Sequence, residues 1–482
     1  MGTTKPERNP GPEFDAVDGD SRTAILGDRE QSQVVPGVVT GPSRLYFLDW
    51  IRVLALLVVV VYHVFVGGDP VSPTFLPKEI AAIFFPVPLA GIGVFFAVSG
   101  AASAFSLERR TKRQFVFERV FRLAIPFAAG AIILVPITEW LDPWAAYPDS
   151  FTQTYSEHFK TIFSTQLLLD VPLVLSSLGA WLWVLAFLFA FSMMGLPILN
   201  WLRSKSADRF CDAMTGLASR RGGLLLWSLP VMGIAAFGQI ITYPLLDAPI
   251  SDLYNGWTGF LRFFVVFVLG AILVRKKSTL DYVRRDWRIA LLAGSFAMGL
   301  VVLMSAFVFE SAVNTAERSL IALVFWQLLE GVGAWSFVLV FFALGLRWLD
   351  RPGRVLSYFL GMILAFYFFH QTAINAVNLF YFGHFDPSIP VDDLPYPEFY
   401  LTFRFLNGVL VLFAAVALLL AFIELVVRPI RPLRRFLGVT RERVPGYYDV
   451  KSADRDRRVV DRGEASQDPP AHESDRSDNS PP

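Results

Sequence analysis

Charge is scarce in this chain of 482 residues: Asp, Glu, Lys and Arg make up 18% of it, against 54% hydrophobic residues and a mean hydropathy of +0.48. That balance excludes a soluble multidomain protein, because the apolar residues come in long uninterrupted runs. Cysteine is nearly absent. The single Cys211 excludes an intramolecular disulfide and any site built from several cysteines, and no metal is expected. No cleavable signal peptide is visible: the residues before position 44 are polar and rich in Pro, Gly and Asp, and the first apolar run is long enough to stay as an anchor. The net charge of +1 averages a charge-poor core with charged tails, so it says nothing about partners by itself.

What is present is a series of apolar windows. Runs of about 20 residues or more, the length that crosses about 30 Å of hydrocarbon, fall in ten places: 45–66, 80–105, 115–138, 178–200, 223–246, 257–274, 288–309, 319–346, 355–381 and 398–427. Basic residues alternate between the connections. Those after windows two, four, six and eight carry Arg109, Arg110, Lys112 and Arg113; Arg203, Lys205, Arg209, Arg220 and Arg221; Arg275, Lys276, Lys277, Arg284 and Arg285; and Arg347, Arg351 and Arg354. The odd connections offer only Lys78, Lys160 and Arg318. By the positive-inside rule the even connections and both termini are expected in the cytoplasm, with Arg428, Arg431, Arg434 and Arg435 closing the last window. The expected fold is an all-α polytopic membrane protein of about ten transmembrane helices. It has a disordered cytoplasmic tail at 1–43, a transmembrane domain at 44–430, and a basic juxtamembrane segment with a second disordered tail at 431–482. The outer connection near 142–176 places Trp144, Tyr147, Tyr155 and Phe159 among acidic residues, a composition suited to the interface or to a cover over an outward cavity.

Polar residues inside these windows are costly unless they face protein or water. The first window holds Arg52 and His63, with ten residues between them. At about 100° and about 1.5 Å per residue they share a helix face, roughly 16 Å apart. The orientation above puts Arg52 in the cytoplasmic third and His63 in the outer part. The third window begins with FVFERVFRLAIPF, whose Arg119 and Arg122 are three apart and so expected on one face. Three arginines then reach one inner layer, where guanidinium forks suit phosphate. The plainer alternatives are that Arg119 and Arg122 snorkel to headgroups and that Arg52 pairs with Asp49. His370 lies past the middle of the ninth window, with Gln371, Thr372, Asn375 and Asn378 beyond it, and is expected to approach His63 unless this is only a polar packing seam. Glu330, near Gln327, is an expected acidic partner for either histidine. The second window contains GIGVFFAVSGAASAF, whose small residues allow close helix packing while Ser99 is a possible ligand donor. His158, His384 and His472 fall in connections or tail and carry no such signal.

Taken together, these residues resemble a family. LDWIRVLALLVVVVYH is similar to the Arg-x10-His signature that opens the integral-membrane acyltransferase 3 family, FFAVSG resembles its FFxxSG element, and ERVFRLAIPF its Arg-x-x-Arg stretch. FYFFHQTAI and GAWSFVLVFFALGLRWL resemble the subgroup of the glucan biosynthesis protein C type, over residues 45–430 in all. The resemblance implies an acyltransferase that moves an acyl group, acetyl or succinyl, from acyl-CoA to a hydroxyl of a carbohydrate or envelope glycan, in the plasma membrane. It matches Arg52, His63, Arg119 and Arg122. One departure is WLWVL, where the subgroup often has His-Leu-Trp-Phe-Leu; Trp181 stands at the histidine position.

The combined expectation is that Arg52, Arg119 and Arg122, with Ser99, hold acyl-CoA. His63 then acts as general base or through a transient acyl-histidine, with His370 and Glu330 assisting. The expected partners are acyl-CoA, the glycan acceptor and the bilayer, not nucleic acid. The competing class is a transporter or exporter without acyl chemistry, since ten helices with buried polar residues also describe carriers.

Overall fold

The computed structural model describes residues 45–65, 87–146, 152–164, 175, 178–246, 256–304, 320–382 and 397–442. The predicted tail at 1–43 and residues 443–482 of the second lie outside these residues, as do Lys78, Tyr147, Arg318, His384 and His472. Among the described residues every regular element is helical and no strand occurs.

The elements are α1 (Tyr46–Phe65), α2 (Val87–Arg109), a continuous α3 over 112–146, α4 (Tyr155–Ser164), α5 (Ala180–Met194) bent by 53° into α6 (Leu196–Leu202), α7 (Asp208–Ser219), α8 (Leu229–Leu246), α9 (Trp257–Leu273), α10 (Lys277–Met304), α11 (Leu320–Leu344), α12 (Arg354–Leu360), α13 (Ile363–Phe382), α14 (Pro397–Phe422) and α15 (Arg431–Phe436). Where described, the ten apolar windows are helical, but 178–200 is divided between α5 and α6 and 355–381 between α12 and α13. Seven helices are long and apolar enough to cross a bilayer, or eight if α5 and α6 form one bent span. The remaining two windows hold the shorter apolar helices Gly223–Gly238 and α9. At 1.5 Å per residue the 17 residues of α9 rise about 26 Å, just short of the hydrocarbon thickness.

Prolines set the local shape of several helices. A proline ring cannot donate an N–H and collides with the carbonyl four residues back. The chain relieves this with a wider π turn just ahead: Val120–Ala124 before Pro126, Gly130–Leu134 before Pro136, and Ile423–Val427 before Pro429. In all three the turn ends two residues before the proline. The consequence for α3 is a change of phase between Arg119 and Arg122.

α1 is held on several sides, packing against α2, α12, α13 and α14. Its first turn leaves backbone N–H groups without helical acceptors, and the Asp350 carboxylate accepts one of them, from Phe47 at 3.2 Å. Trp50 Nε1 donates to the Arg351 carbonyl at 3.1 Å. The connection after α11 thereby fixes the start of the helix that carries Arg52 and His63.

α2 and α9 cross backbone against backbone. A Cβ on Gly100 would stand 1.8 Å from the Phe267 carbonyl oxygen, and one on Gly270 would stand 2.0 Å from that of Ala97. The small-residue stretch of α2 is thus a packing seam, as its composition suggests. Gly270→Val is expected to prevent assembly, whereas Gly233→Val on α8, where a Cβ would meet nothing within 4 Å, is tolerated. The yield of monodisperse protein after detergent extraction reads this. Equal yields would contradict the crossing.

Candidate active site

Two polar groups of residues flank α1, one toward each end. At the N-terminal end Arg52 Nη1 bonds the Asp49 carboxylate at 3.3 Å, the local pairing that the sequence allows. Arg119 of α3 lies within electrostatic reach of Arg52, Arg122 and Arg110. Its guanidinium rests 4.8 Å from the centroid of the buried Phe115 ring and donates from Nη2 to Ser103 Oγ at 2.9 Å. Ser103, fully buried, donates in turn to the Ser99 carbonyl at 2.8 Å. The side chain that meets Arg119 is therefore Ser103, one turn beyond Ser99, and Ser99 contributes its backbone. No pattern in the small-residue run distinguishes Ser103 beforehand.

Arg122 corrects the expectation of a shared face. It is 69% exposed and pairs with Glu118 at 3.2 Å, while Arg119 turns inward to α2. The π turn ahead of Pro126 starts at Val120, between the two arginines, and rotates the second off the face of the first. Glu118 also pairs with Arg110, so this carboxylate partly neutralises the outer edge of the cluster.

At the other end, His63 of α1 and His370 of α13 meet with ring centroids 5.3 Å apart, as the two windows predict. His370 is 1% exposed. Its Nδ1 lies 2.6 Å from the Tyr367 backbone oxygen. A carbonyl only accepts, so Nδ1 carries the proton, and in the neutral ring Nε2 is a lone-pair acceptor. That Nε2 is buried and has no hydrogen-bond partner among the described residues. His63 makes no side-chain hydrogen bond among the described residues; its ring contacts are Tyr62 at 5.4 Å and His370. An imidazole without a hydrogen bond to any described residue, beside a second with its tautomer fixed, is suited to take a proton from a bound hydroxyl. Beyond His370 the same helix buries Gln371 and Asn378, with Gln371 Nε2 donating to Asn375 Oδ1 at 2.9 Å.

Residues 45–424 match the acyltransferase domain family known as acyltransferase 3. The chain belongs to this family. It is a membrane acyltransferase, and the matched residues run from the start of α1 into the last turns after α14. No curated protein and no solved structure matches it.

Within the acyltransferase, Glu330 does not serve either histidine. It forms an ion pair with Arg262 of α9 at 2.9 Å, and Arg262 Nη1 also donates to Gln327 Oε1 at 3.2 Å. Both charges are almost wholly buried. α2 and α8 each pack against both α9 and α11, and the pair bridges α9 to α11 between them. The sequence signal for Arg262 was of the same kind as for Arg52, the only charged residue in its apolar window, WTGFLRFFVVFVLGAILV. Among the described residues no group of His, Cys, Asp and Glu is arranged to hold a metal ion. His158 sits in α4, whose first turn is closed by Thr154 and Glu157 through reciprocal bonds of 2.9 and 3.4 Å. Tyr155 of that helix meets Trp140 edge to face, with ring centroids 5.9 Å apart.

Proposed function

We propose that the protein is an O-acyltransferase of the glucan biosynthesis protein C type, crossing the plasma membrane ten times with both termini in the cytoplasm. It transfers an acetyl or succinyl group from cytoplasmic acyl-CoA to a hydroxyl of a carbohydrate or envelope glycan. In this reading Arg52 and Arg119 take the phosphates of CoA, and Arg122, at the exposed rim, adds attraction rather than a fixed contact. The pantetheine arm extends along α1, and the roughly 16 Å between Arg52 and His63 is of the order such an arm spans. His63 removes the proton of the acceptor hydroxyl as it attacks the thioester carbonyl; the carbon–sulfur bond breaks, and the proton passes to the departing CoA thiolate. His370 holds His63 or the acceptor through Nε2.

The observation that carries this reading is the alignment on one helix. Arg52 and His63 lie eleven positions apart on α1, with Arg119 in electrostatic reach of the first and His370 against the second, and we read them as the two ends of one donor path. A carrier for an unrelated solute gives no reason for that pairing. The test is thermal unfolding of the purified chain with and without CoA. A concentration near 100 times the dissociation constant stabilises by about 2.7 kcal/mol, a shift of a few degrees. Arg52→Ala and Arg119→Ala are each expected to abolish most of that shift, and Arg122→Ala to reduce it less. No shift in the wild-type protein at millimolar CoA would contradict the donor assignment.

A further inference from the structure

The entry to α5 is tied to α13 by two hydrogen bonds that run in opposite directions. Trp181 Nε1 donates to the Phe368 carbonyl at 3.1 Å, and the Tyr367 hydroxyl donates to the Trp181 carbonyl. Trp181, Tyr367 and Phe368 are all buried. The acceptor for His370 Nδ1 is the backbone oxygen of this same Tyr367, and the Tyr367 ring packs at 5.5 Å from the imidazole. From this geometry we infer that Trp181 and Tyr367 are positioning residues for His370, acting as one reciprocal staple that fixes the rotation of α13 where it sets the His370 ring against that of His63.

Two features independent of these bonds support a built arrangement. Ala180, immediately before Trp181, has φ of +40°, the one positive value among the described non-glycine residues. A side chain there is strained, and such strain persists only where surrounding contacts over-determine the backbone. Gly130, at the second π turn of α3, lies against the same point: a Cβ there would stand 2.2 Å from Leu182 Cδ1 and 3.0 Å from the Phe368 ring. Two elements, α3 and α5, therefore close on α13 at Phe368, two residues before His370. Packing alone accounts for buried rings; it does not require donor and acceptor to be exchanged between Trp181 and two consecutive residues of α13.

This inference rests on the reading that His370 works with His63 in acyl transfer, and its test separates the two. Tyr367→Phe deletes one oxygen and leaves every ring in place; Trp181→Phe deletes the indole N–H. Release of CoA thiol from acetyl-CoA by the purified full chain is followed for each variant. Each is expected to lower kcat about 10- to 100-fold, the cost of misplacing the His63–His370 pair by about an ångström, with KM for acetyl-CoA changed by less than about twofold. The double variant is expected to lose about as much as the worse single one, because both bonds hold one element. Lowered thermal stability with unchanged kcat, or losses that multiply in the double variant, overturns the staple. His370→Ala in the same assay addresses the underlying reading: wild-type kcat there refutes that reading, whereas an inactive His370→Ala beside normal Tyr367→Phe and Trp181→Phe refutes the staple alone. If Trp181→Phe fails to accumulate, Tyr367→Phe carries the test by itself.

Discussion

His63→Ala protein is expected to bind CoA as the wild type does and to transfer acyl groups about 100- to 10,000-fold more slowly, the range for loss of a positioned general base. The two halves of that expectation come from distance. His63 lies eleven positions along α1 from Arg52, roughly 16 Å away, so its removal leaves the Arg52 and Arg119 region untouched. His63 is also free of hydrogen bonds to described residues, so truncation breaks no fold contact of that kind. A His63→Ala chain with wild-type turnover would remove the chemical half of the account; one that also lost CoA stabilisation would show that the two ends are not separate.

Arg262→Met is expected to be the most damaging single change to stability. It leaves Glu330, 1% exposed, without its partner at 2.9 Å. An uncompensated buried charge costs about 3–5 kcal/mol, enough that most of the protein fails to survive extraction. Removing both charges is a different experiment. The double variant Arg262→Met/Glu330→Met replaces the pair with apolar side chains of similar length, and such replacements are commonly neutral or stabilising. The double variant should therefore recover most of the unfolding temperature lost in the single one. A double variant as unstable as Arg262→Met would mean that Glu330 draws its support from elsewhere.

Much of this was legible in the sequence because a membrane taxes polar atoms so heavily. The apolar windows became helices, with 178–200 and 355–381 each divided in two, and the spacing of Arg52 and His63 placed both on α1 with partners at each end. His370 was legible for the same reason, as an imidazole in a helix too polar to face lipid. What failed to read were relations set by tertiary contact or by local distortion. Glu330 looked like a histidine partner because its depth was known and its facing was not; Arg262, isolated in its own window, was the partner it found. The common face assigned to Arg119 and Arg122 assumed a regular helix, although Pro126 was visible four residues past Arg122 and its ring collides with the carbonyl four residues back. Ser103 and the Trp181–Tyr367 bonds depend on how α2, α3, α5 and α13 pack, and no one-dimensional pattern carries that.

The most direct measurement is a structure of the full chain with desulfo-CoA, which keeps the phosphates and the arm but offers no thioester. The account predicts phosphate density against the Arg52 and Arg119 guanidiniums, with the far end of the pantetheine arm reaching the paired rings of His63 and His370. Phosphates bound away from Arg52 and Arg119, or an arm that leaves α1 without approaching His63, would contradict it.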